Sequence, residues 1–396
     1  MKVIDFKQDE SLVLEELNKE LINFFNKETL VINDTRAMII PEVLPHIEFV
    51  CTYDQRILPM IENTNIVFSK PFSKDYLKYL NDFGLGINNN IFLIDNNKNY
   101  TLGENILLSK ELIENIKKHN FKYLIPFFVD ENMEKLSNIL GIPLLVSKEI
   151  FEKANNKLML KEFLISNNLP TLPGEITGDL EIILSYFNSK KRYLFKDPLG
   201  VSGYGFWDNK VNTIDELKTN FKNKKLIIEE FIEKIGSPSV QFFINKENNK
   251  SIIFGITDQI LEDGKVYLGN TSPSIYLNGS VGDELIKQSK EIIKYISSLG
   301  YVGFGGIDFI IDNKKNIFAT EVNARFTGAT YPALTSLKLY NSLLKSWEFY
   351  NHELSNIKII DFLEKKCIKN KNQTGIFPLS ISGLENFKKI NLLNFN

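Results

Sequence analysis

Residues 306–325, GIDFIIDNKKNIFATEVNAR, constrain this chain more than any other stretch. Two β-rich runs flank Asp312-Asn313-Lys314-Lys315-Asn316, a strong turn signal. The expected product is a pair of antiparallel strands that brings Asp308, in the first run, against Glu321, at the end of the second. Alternation along a strand puts Glu321, Asn323 and Arg325 on one face. Two carboxylates and an amide oxygen make a hard-oxygen set suited to Mg²⁺. A guanidinium beside them suits a phosphate or a carboxylate. The plain alternative is a salt-bridged surface hairpin. Against it, Asp308 stands between apolar Ile307 and Phe309, and Gly303, Gly305 and Gly306 precede it. A buried acid without a partner is costly, so a cation is expected there.

With 396 residues the chain exceeds one ordinary core, so about two or three domains are expected. Hydrophobic residues make up 43% and charged residues 24%, ordinary for a soluble globular protein. A net charge of −2 offers no field for nucleic acid or an anionic membrane, so neither is an expected partner. The first residues, MKVIDFKQDESLVLEELNKE, are acidic and helical in pattern, unlike a secretory signal. No apolar run approaches the roughly 20 residues of a membrane span. The two cysteines, Cys51 and Cys367, lie far apart, which fits a cytoplasmic protein with reduced thiols. His46, His119 and His352 are isolated, which argues against zinc.

Along the chain, residues 9–28 read as an amphipathic helix with Leu12, Leu14, Leu17, Leu21, Ile22 and Phe25 on its apolar face. Short strands are expected at 30–33, 37–40, 47–51, 91–95 and 123–129, and helices at 73–82, 104–119 and near 130–140. Strands alternating with helices suggest a parallel α/β layer. Beyond it, 148–168 reads as mostly helical. Strands follow at 193–196, 226–230, 240–244, 251–257 and 266–268, and helices at 182–188 and 282–299. After the paired strands, helices are expected up to about residue 353. The last 45 or so residues read as a helix and a short strand near 375–379.

Residues 195–206, FKDPLGVSGYGF, place Lys196 at a strand end before a glycine-rich loop. Glycines let backbone N–H groups turn toward phosphate oxygens, and a lysine adds charge. The plain alternative is a flexible hairpin. No GxxxxGK[ST] occurs, so this is no Walker A loop. Nor does the loop open a helix as a dinucleotide fingerprint would. Asp82-Phe83-Gly84 spells a kinase motif but precedes the glycine loop, and no HRD exists, so it reads as a helix cap. Residues 226–232, LIIEEFI, form an apolar strand ending in acids; such an edge can offer backbone groups to adenine and Glu229 to its exocyclic amine. Ordinary solvated acids would look the same. Lys157 alone is a surface lysine. Asn270 and Ser272, beside the central strands, either touch substrate or satisfy backbone groups. Residues 327–330, TGAT, offer hydroxyl and backbone donors to a substrate anion.

Taken in order, Lys157, Lys196 with its glycine loop, the Glu229 edge, Asp308 and then Glu321-Val322-Asn323-Ala324-Arg325 resemble the ATP-grasp superfamily over about residues 148–335. Residues 123–129, 136–143 and 168–174 look like the usual lead from a pre-ATP-grasp domain. Residues 68–83 and 327–332 resemble the amino-acid and peptide ligase branch. The resemblance implies an α/β protein, α+β in its catalytic half, with an ATP-grasp fold preceded by a Rossmann-like pre-ATP-grasp domain. The implied division is 1–147, 148–350 with a lid at about 175–230, and a C-terminal extension, 351–396, packing on the catalytic domain.

The same resemblance implies roles. Lys157 and Lys196 would contact the phosphates of ATP. Gly200, Ser202, Gly203 and Gly205 would form the lid. Glu229, with the backbone of Glu230 and Ile232, would hold adenine. Asp308, Glu321 and Asn323 would ligate Mg²⁺ or Mn²⁺, and Arg325, with Lys196, would serve the transferred phosphate. Asn270, Ser272, Thr327 and Gly328 would meet substrate. The implied activity is ligation of an amino acid or short peptide, activated as an acyl-phosphate, to an amine, forming ADP and phosphate. Loading of an amino acid onto a carrier-protein thiol and a degenerate nucleotide-binding regulatory protein are the rival expectations. A homodimer is compatible with all three. No acid stands at the place just after the adenine edge where ribose is usually met; Gly236 and Ser237 are there instead.

Overall fold

The computed structural model describes every residue except 88, 201–204, 222–223, 246–249, 263–265, 355–356 and 372. Its centre is a ten-stranded sheet among the described residues. The order along it is Lys234–Gly236, Gly303–Asp312, Pro238–Asn245, Lys250–Glu262, Val266–Ser272, Trp347–Glu353, Lys389–Phe395 and Gly375–Ser380. Ile317–Asn323 also pairs with Gly303–Asp312. The pattern is what alternating Val, Ile and Phe runs produce when both faces are covered.

A second, four-stranded parallel sheet holds Ile91–Ile94, Asn65–Ser69, Thr29–Ile32 and Tyr123–Pro126 in that spatial order. Numbered along the chain this is 3-2-1-4, the order of a Rossmann half. A third sheet, antiparallel, runs Gly174–Thr177, Leu226–Glu230, Tyr193–Lys196 and Phe206–Asp208. It carries the glycine loop and packs its own small core around Phe195, Trp207 and Ile228. The α/β class is therefore as expected, with the parallel layer first and antiparallel sheets after it.

The first strand, Lys2–Asp5, pairs in parallel with Lys250–Glu262 of the large sheet. The helix Glu10–Phe24, capped by Asp9 on the Leu12 N–H, follows it. Phe24 and Phe25 then meet Phe243, Phe304 and Phe326 in one aromatic cluster, with ring centroids 4.7 Å apart at Phe243–Phe304. The C-terminal segment likewise extends the large sheet, through Trp347–Glu353, Lys389–Phe395 and Gly375–Ser380. Strands from both the first and the last residues of the chain are thus built into that sheet.

Several local expectations fail for identifiable reasons. Residues 37–40 and 47–51 are not strands. They lie in or beside 3₁₀ turns at Thr35–Met38 and Glu48–Met60, where Asp54 accepts from the Thr35 N–H and hydroxyl and the buried Arg36 reaches Ser69 and Asn96. These polar groups close the segment on itself instead of leaving it to pair. The helix expected at 104–119 is two, Leu102–Leu108 and Lys110–Lys117, because Ser109 caps the second through the Leu112 N–H. The stretch 148–168 is split at Asn155-Asn156, where Asn156 caps Lys157–Ser166. Residues 347–353 are strand and 389–395 a further strand, completing the edge that the helical reading left open. Among the described residues no helix is long and apolar enough to cross a membrane.

Phe304 is 2% exposed at the centre of the aromatic cluster. Phe304→Ala should lower unfolding stability by about 3–5 kcal/mol, read from urea titration. A loss below about 1 kcal/mol would mean the cluster is not what joins the N-terminal helix to the sheet.

Candidate active site

Gly303–Asp312 and Ile317–Asn323 pair so that Asp308 lies directly opposite Glu321, and Gly306 opposite Asn323. The two carboxylates therefore share a face, with Asn323 one pleat on. Ser239 lies opposite Asp308 on the other side. Its hydroxyl donates to Asp308 Oδ1 at 2.6 Å, and Asn323 Nδ2 donates to Oδ2 at 3.0 Å. Burial pushes the Asp308 carboxyl up, the Glu321 charge adds to it, and the group rises to about 6. Two acids facing each other, one forced upward by the other, form a donor set that a divalent cation would relieve. The residues present fit Mg²⁺.

Lys157 opens the helix Lys157–Ser166. Its Nζ lies 2.7 Å from Glu321 Oε1 and donates to the Gly200 carbonyl at 2.6 Å. One lysine thus ties the glycine loop to an acid of the facing pair. Asn155, at the break before this helix, accepts from the Ala324 N–H at 2.9 Å and fixes the chain just past Asn323. The helix break missed in the sequence is therefore a positioning device.

Lys196 ends its strand, and its Nζ donates to Glu229 Oε2 at 2.7 Å. Lys161 donates to the other oxygen, Oε1, at 2.7 Å and to the Leu172 carbonyl at 2.8 Å. Burial raises the proton affinity of Glu229, but Lys196 and Lys161 outweigh it and hold the carboxyl below the usual range. Each Glu229 oxygen accepts from a lysine, so the carboxylate anchors two lysines. Lys157, Lys161 and Lys196 converge with Glu229 and Thr320 on one small cleft whose apolar walls include Leu160, Leu164 and Ile227. Three cations on the polar side suit a polyphosphate, and the apolar walls suit a flat ring.

The remaining expected residues fall as follows. Gly205 has φ +76°, and a Cβ there would lie 2.8 Å from Asp197 Cβ, so only glycine fits. Ser202 and Gly203 lie outside the described residues. The Glu230 N–H already donates to the Pro173 carbonyl at 2.8 Å, which removes it as an adenine donor. Ile232 sits just past the strand Leu226–Glu230, and its N–H has no acceptor among the described residues. Arg325 is off the strand, which ends at Asn323; its N–H turns back to the Asn323 carbonyl, and its guanidinium lies 5.6 Å over the Phe127 ring. Simple alternation therefore fails for Arg325, although burial that lowers it is opposed by the nearby Glu321 and Asp308 charges.

Thr327 is turned inward: its hydroxyl donates to Gln241 Oε1 at 2.7 Å and accepts from the Ala329 and Thr330 N–H groups in the turn before the helix Thr330–Tyr340. Gly328 lies under Tyr267, whose hydroxyl oxygen would be 2.0 Å from a Cβ. Asn270 is buried, donates to Thr257 Oγ1 at 3.2 Å and accepts from Tyr267, while Ser272 ends the same strand. Where the ribose acid was sought, Gly236 is covered by Tyr276.

Sequence reasoning missed Lys161, Ser239, Tyr267 and Lys234. Lys161 was visible in principle, four residues after Lys157 on one helical face. Ser239 and Tyr267 enter only through strand pairing. Burial lowers Lys234, with Asp308 opposing and Lys196 adding to the shift.

A family model described as "L-aspartate--L-methionine ligase, ATP grasp" matches residues 206–323. Over that segment the chain is similar to ATP-grasp ligases. Among curated relatives it is 21% identical over 222 residues to the alpha chain of mitochondrial propionyl-CoA carboxylase of Homo sapiens, covering 52% of this chain and 30% of that one. It is 26% identical over 118 residues to L-propargylglycine--L-glutamate ligase of Streptantibioticus cattleyicolor, covering 30% of this chain and 23% of that one. The chain thus spans less than a third of the length of these relatives. Among solved structures, biotin carboxylase of Campylobacter jejuni aligns with a TM-score of 0.59 at 13% identity, over 95% of this chain and 89% of that one. L-amino acid ligase of Bacillus licheniformis aligns with a TM-score of 0.52 at 13% identity, over 94% and 93%. Both show the ATP-grasp fold of this chain across nearly its whole length.

Glu229→Gln leaves two lysines around a neutral amide in a buried place. The expected loss is about 3–5 kcal/mol of unfolding free energy at neutral pH. Because the folded carboxyl titrates below its ordinary value, its stabilisation is present above about pH 4.3 and is lost as pH falls through the lower folded value. Urea melts of both proteins from pH 7 to 3 should therefore converge on acidification. A constant gap would remove the Lys196–Glu229–Lys161 triad as its source.

Proposed function

We propose that this chain is an ATP-dependent, ADP-forming ligase that activates the carboxylate of an amino acid or short peptide and joins it to an amine. The observation that carries this reading is the in-register Asp308–Glu321 pair, linked through Lys157 to the glycine loop. The family model's own description, an aspartate–methionine ligase of ATP-grasp type, supports amino acids as the substrate class. Two free, buried cysteines suit a cytoplasmic setting.

The chemistry follows from the charges. A substrate carboxylate oxygen attacks the γ-phosphorus of ATP, the bond to the β–γ bridging oxygen breaks, and ADP leaves with that electron pair. The amine nitrogen then attacks the acyl-phosphate carbonyl, phosphate leaves, and the nitrogen loses a proton. Nothing in this sequence needs a covalent enzyme nucleophile; the protein's task is positioning and neutralisation. Lys157 and Lys196 exchange their present partners, Glu321 and Glu229, for phosphate oxygens. That exchange frees Glu321 at the moment the nucleotide arrives. Asp308, Glu321 and the Asn323 amide oxygen would hold Mg²⁺, which supplies charge neutralisation at the phosphates. Arg325, half-buried and without a carboxylate partner among the described residues, would take the transferred phosphate. Gly200, held through its carbonyl by Lys157, loses that tie when Lys157 turns to phosphate.

Glu321→Gln removes one charge from the facing pair and keeps its shape. ADP release with ATP, Mg²⁺ and pairs of L-amino acids should fall by at least about a hundredfold, while the urea midpoint stays near wild type. Turnover retained within a few-fold would exclude the carboxylate pair from the reaction. Lys196→Ala should weaken MgATP binding about ten- to a hundredfold by calorimetry. Unchanged affinity would mean the lysine stays with Glu229 throughout.

A further inference from the structure

Only four of the 47 basic Lys and Arg residues are arginines: Arg36, Arg56, Arg192 and Arg325. A chain so dominated by lysine uses arginine sparingly, and arginine's planar fork does what lysine cannot. Two of the four face acids, Arg36 with Asp54 at 3.8 Å and Arg192 with Asp208 at 2.5 Å. The proposed function already uses Arg325, as the group that would take the transferred phosphate. Arg56 remains unexplained.

Arg56 is 9% exposed, and no carboxylate pairs with it among the described residues. Its Nε donates to Asn391 Oδ1 at 2.7 Å and its Nη2 to Asn351 Oδ1 at 3.0 Å, both neutral amides. The Tyr53 ring stacks on the guanidinium at 3.8 Å and the Phe349 ring lies 5.5 Å away. Nη1 has no partner among the described residues. A buried cation with only neutral amides around it is costly. A tie between the Glu48–Met60 segment and the C-terminal hairpin could use uncharged groups.

Strand pairing puts this guanidinium on the same face as the acid pair. Asp308 lies opposite Ser239, and Ser239 opposite Thr257. Asn270 bonds Thr257 and lies opposite Phe349, and Asn351, two residues on, lies opposite Asn391. A polar row thus crosses the sheet from Asp308 to the amides that hold Arg56. Tyr267 stands between the two ends, is 39% exposed, and rests its hydroxyl on Asn270 and against Gly328. Burial raises that hydroxyl, while Arg56 lowers it and Asp308 raises it, so it feels both charges.

We propose that Arg56 binds the unreacted carboxylate of an amino-acid substrate, at the end of this polar row away from the acid pair. Four strand spacings, each about 4.8 Å, separate the strand of Asp308 from that of Phe349. The carboxylate that attacks the γ-phosphate therefore cannot be the one on Arg56. Nη1 and the second N–H of Nη2 can donate two parallel hydrogen bonds to a carboxylate, and the Tyr53 ring stacks on the guanidinium plane. The site thereby selects a free acid over its amide. This inference rests on the ligase reading for its substrate class, but its test reads binding and not turnover.

The experiment measures binding by calorimetry, with MgADP present, of L-methionine, L-aspartate and L-glutamate and of their α-amides. Wild type should bind at least one acid about ten- to a hundredfold more tightly than its amide. Arg56→Gln should lose that preference while MgATP affinity stays unchanged, and Arg56→Lys should restore only part of it. Asn351→Asp, on the exposed rim, places an acid on the same guanidinium and should abolish the preference by competition in a protein whose Arg56 is intact. This second variant holds the test if Arg56→Gln fails to fold. An Arg56→Gln protein that is less stable but keeps the acid-to-amide ratio overturns the proposal, as does a wild type that binds acids no better than amides. Should wild type prefer the acid yet release no ADP with any amino-acid pair, the Arg56 site stands and the ligase reading falls.

Discussion

Two carboxylates held face to face organise this molecule. Asp308 and Glu321 are opposite residues of neighbouring strands, and their backbone pairing leaves them no way to move apart. Their mutual repulsion, in a place that burial has already made hostile to charge, creates a standing demand for cations. The structure meets it with groups a ligand can displace: Ser239 and Asn323 on Asp308, and Lys157 on Glu321. Lys157 also holds Gly200, so the same demand reaches the glycine loop.

A second balance has the same design. Glu229 is buried between Lys196 and Lys161, and three charges with a net excess of one positive face the cleft. Each lysine that a nucleotide would attract is kept in place by an acid of the site. The resting protein is therefore electrostatically closed upon itself. An incoming polyphosphate would compete with these carboxylates for the lysines. Preorganisation of this kind limits the reorganisation left for the chemical step.

The large sheet carries these balances to a wider surface. Its middle strands hold Asp308, Ser239 and Thr257 in one row, and strands from the two ends of the chain complete it. The N-terminal helix is locked to it through Phe24, Phe25, Phe243 and Phe304. Arg56 comes from the first half of the chain and Asn351 and Asn391 from its end. The polar row between the acid pair and Arg56 is thus completed by segments hundreds of residues apart.

What was legible in the sequence was local and periodic. The turn at 312–316 with acids on either side determined a hairpin, and the hairpin determined that Asp308 and Glu321 meet, because register follows the turn. The order of Lys157, Lys196, Glu229 and the Glu321–Arg325 run was enough to indicate the superfamily. Tertiary structure alone decided where each side chain's partner lies. Glu229 went to two lysines instead of a ligand, Thr327 to Gln241, and Arg325 off the strand and over Phe127. It also turned 37–40 and 47–51 from strands into 3₁₀ turns and made strands of 347–353 and 389–395. The physical reason is range: backbone periodicity is set by neighbours a few residues away, whereas buried polar groups are satisfied by whatever the fold brings within 3 Å, from anywhere in the chain.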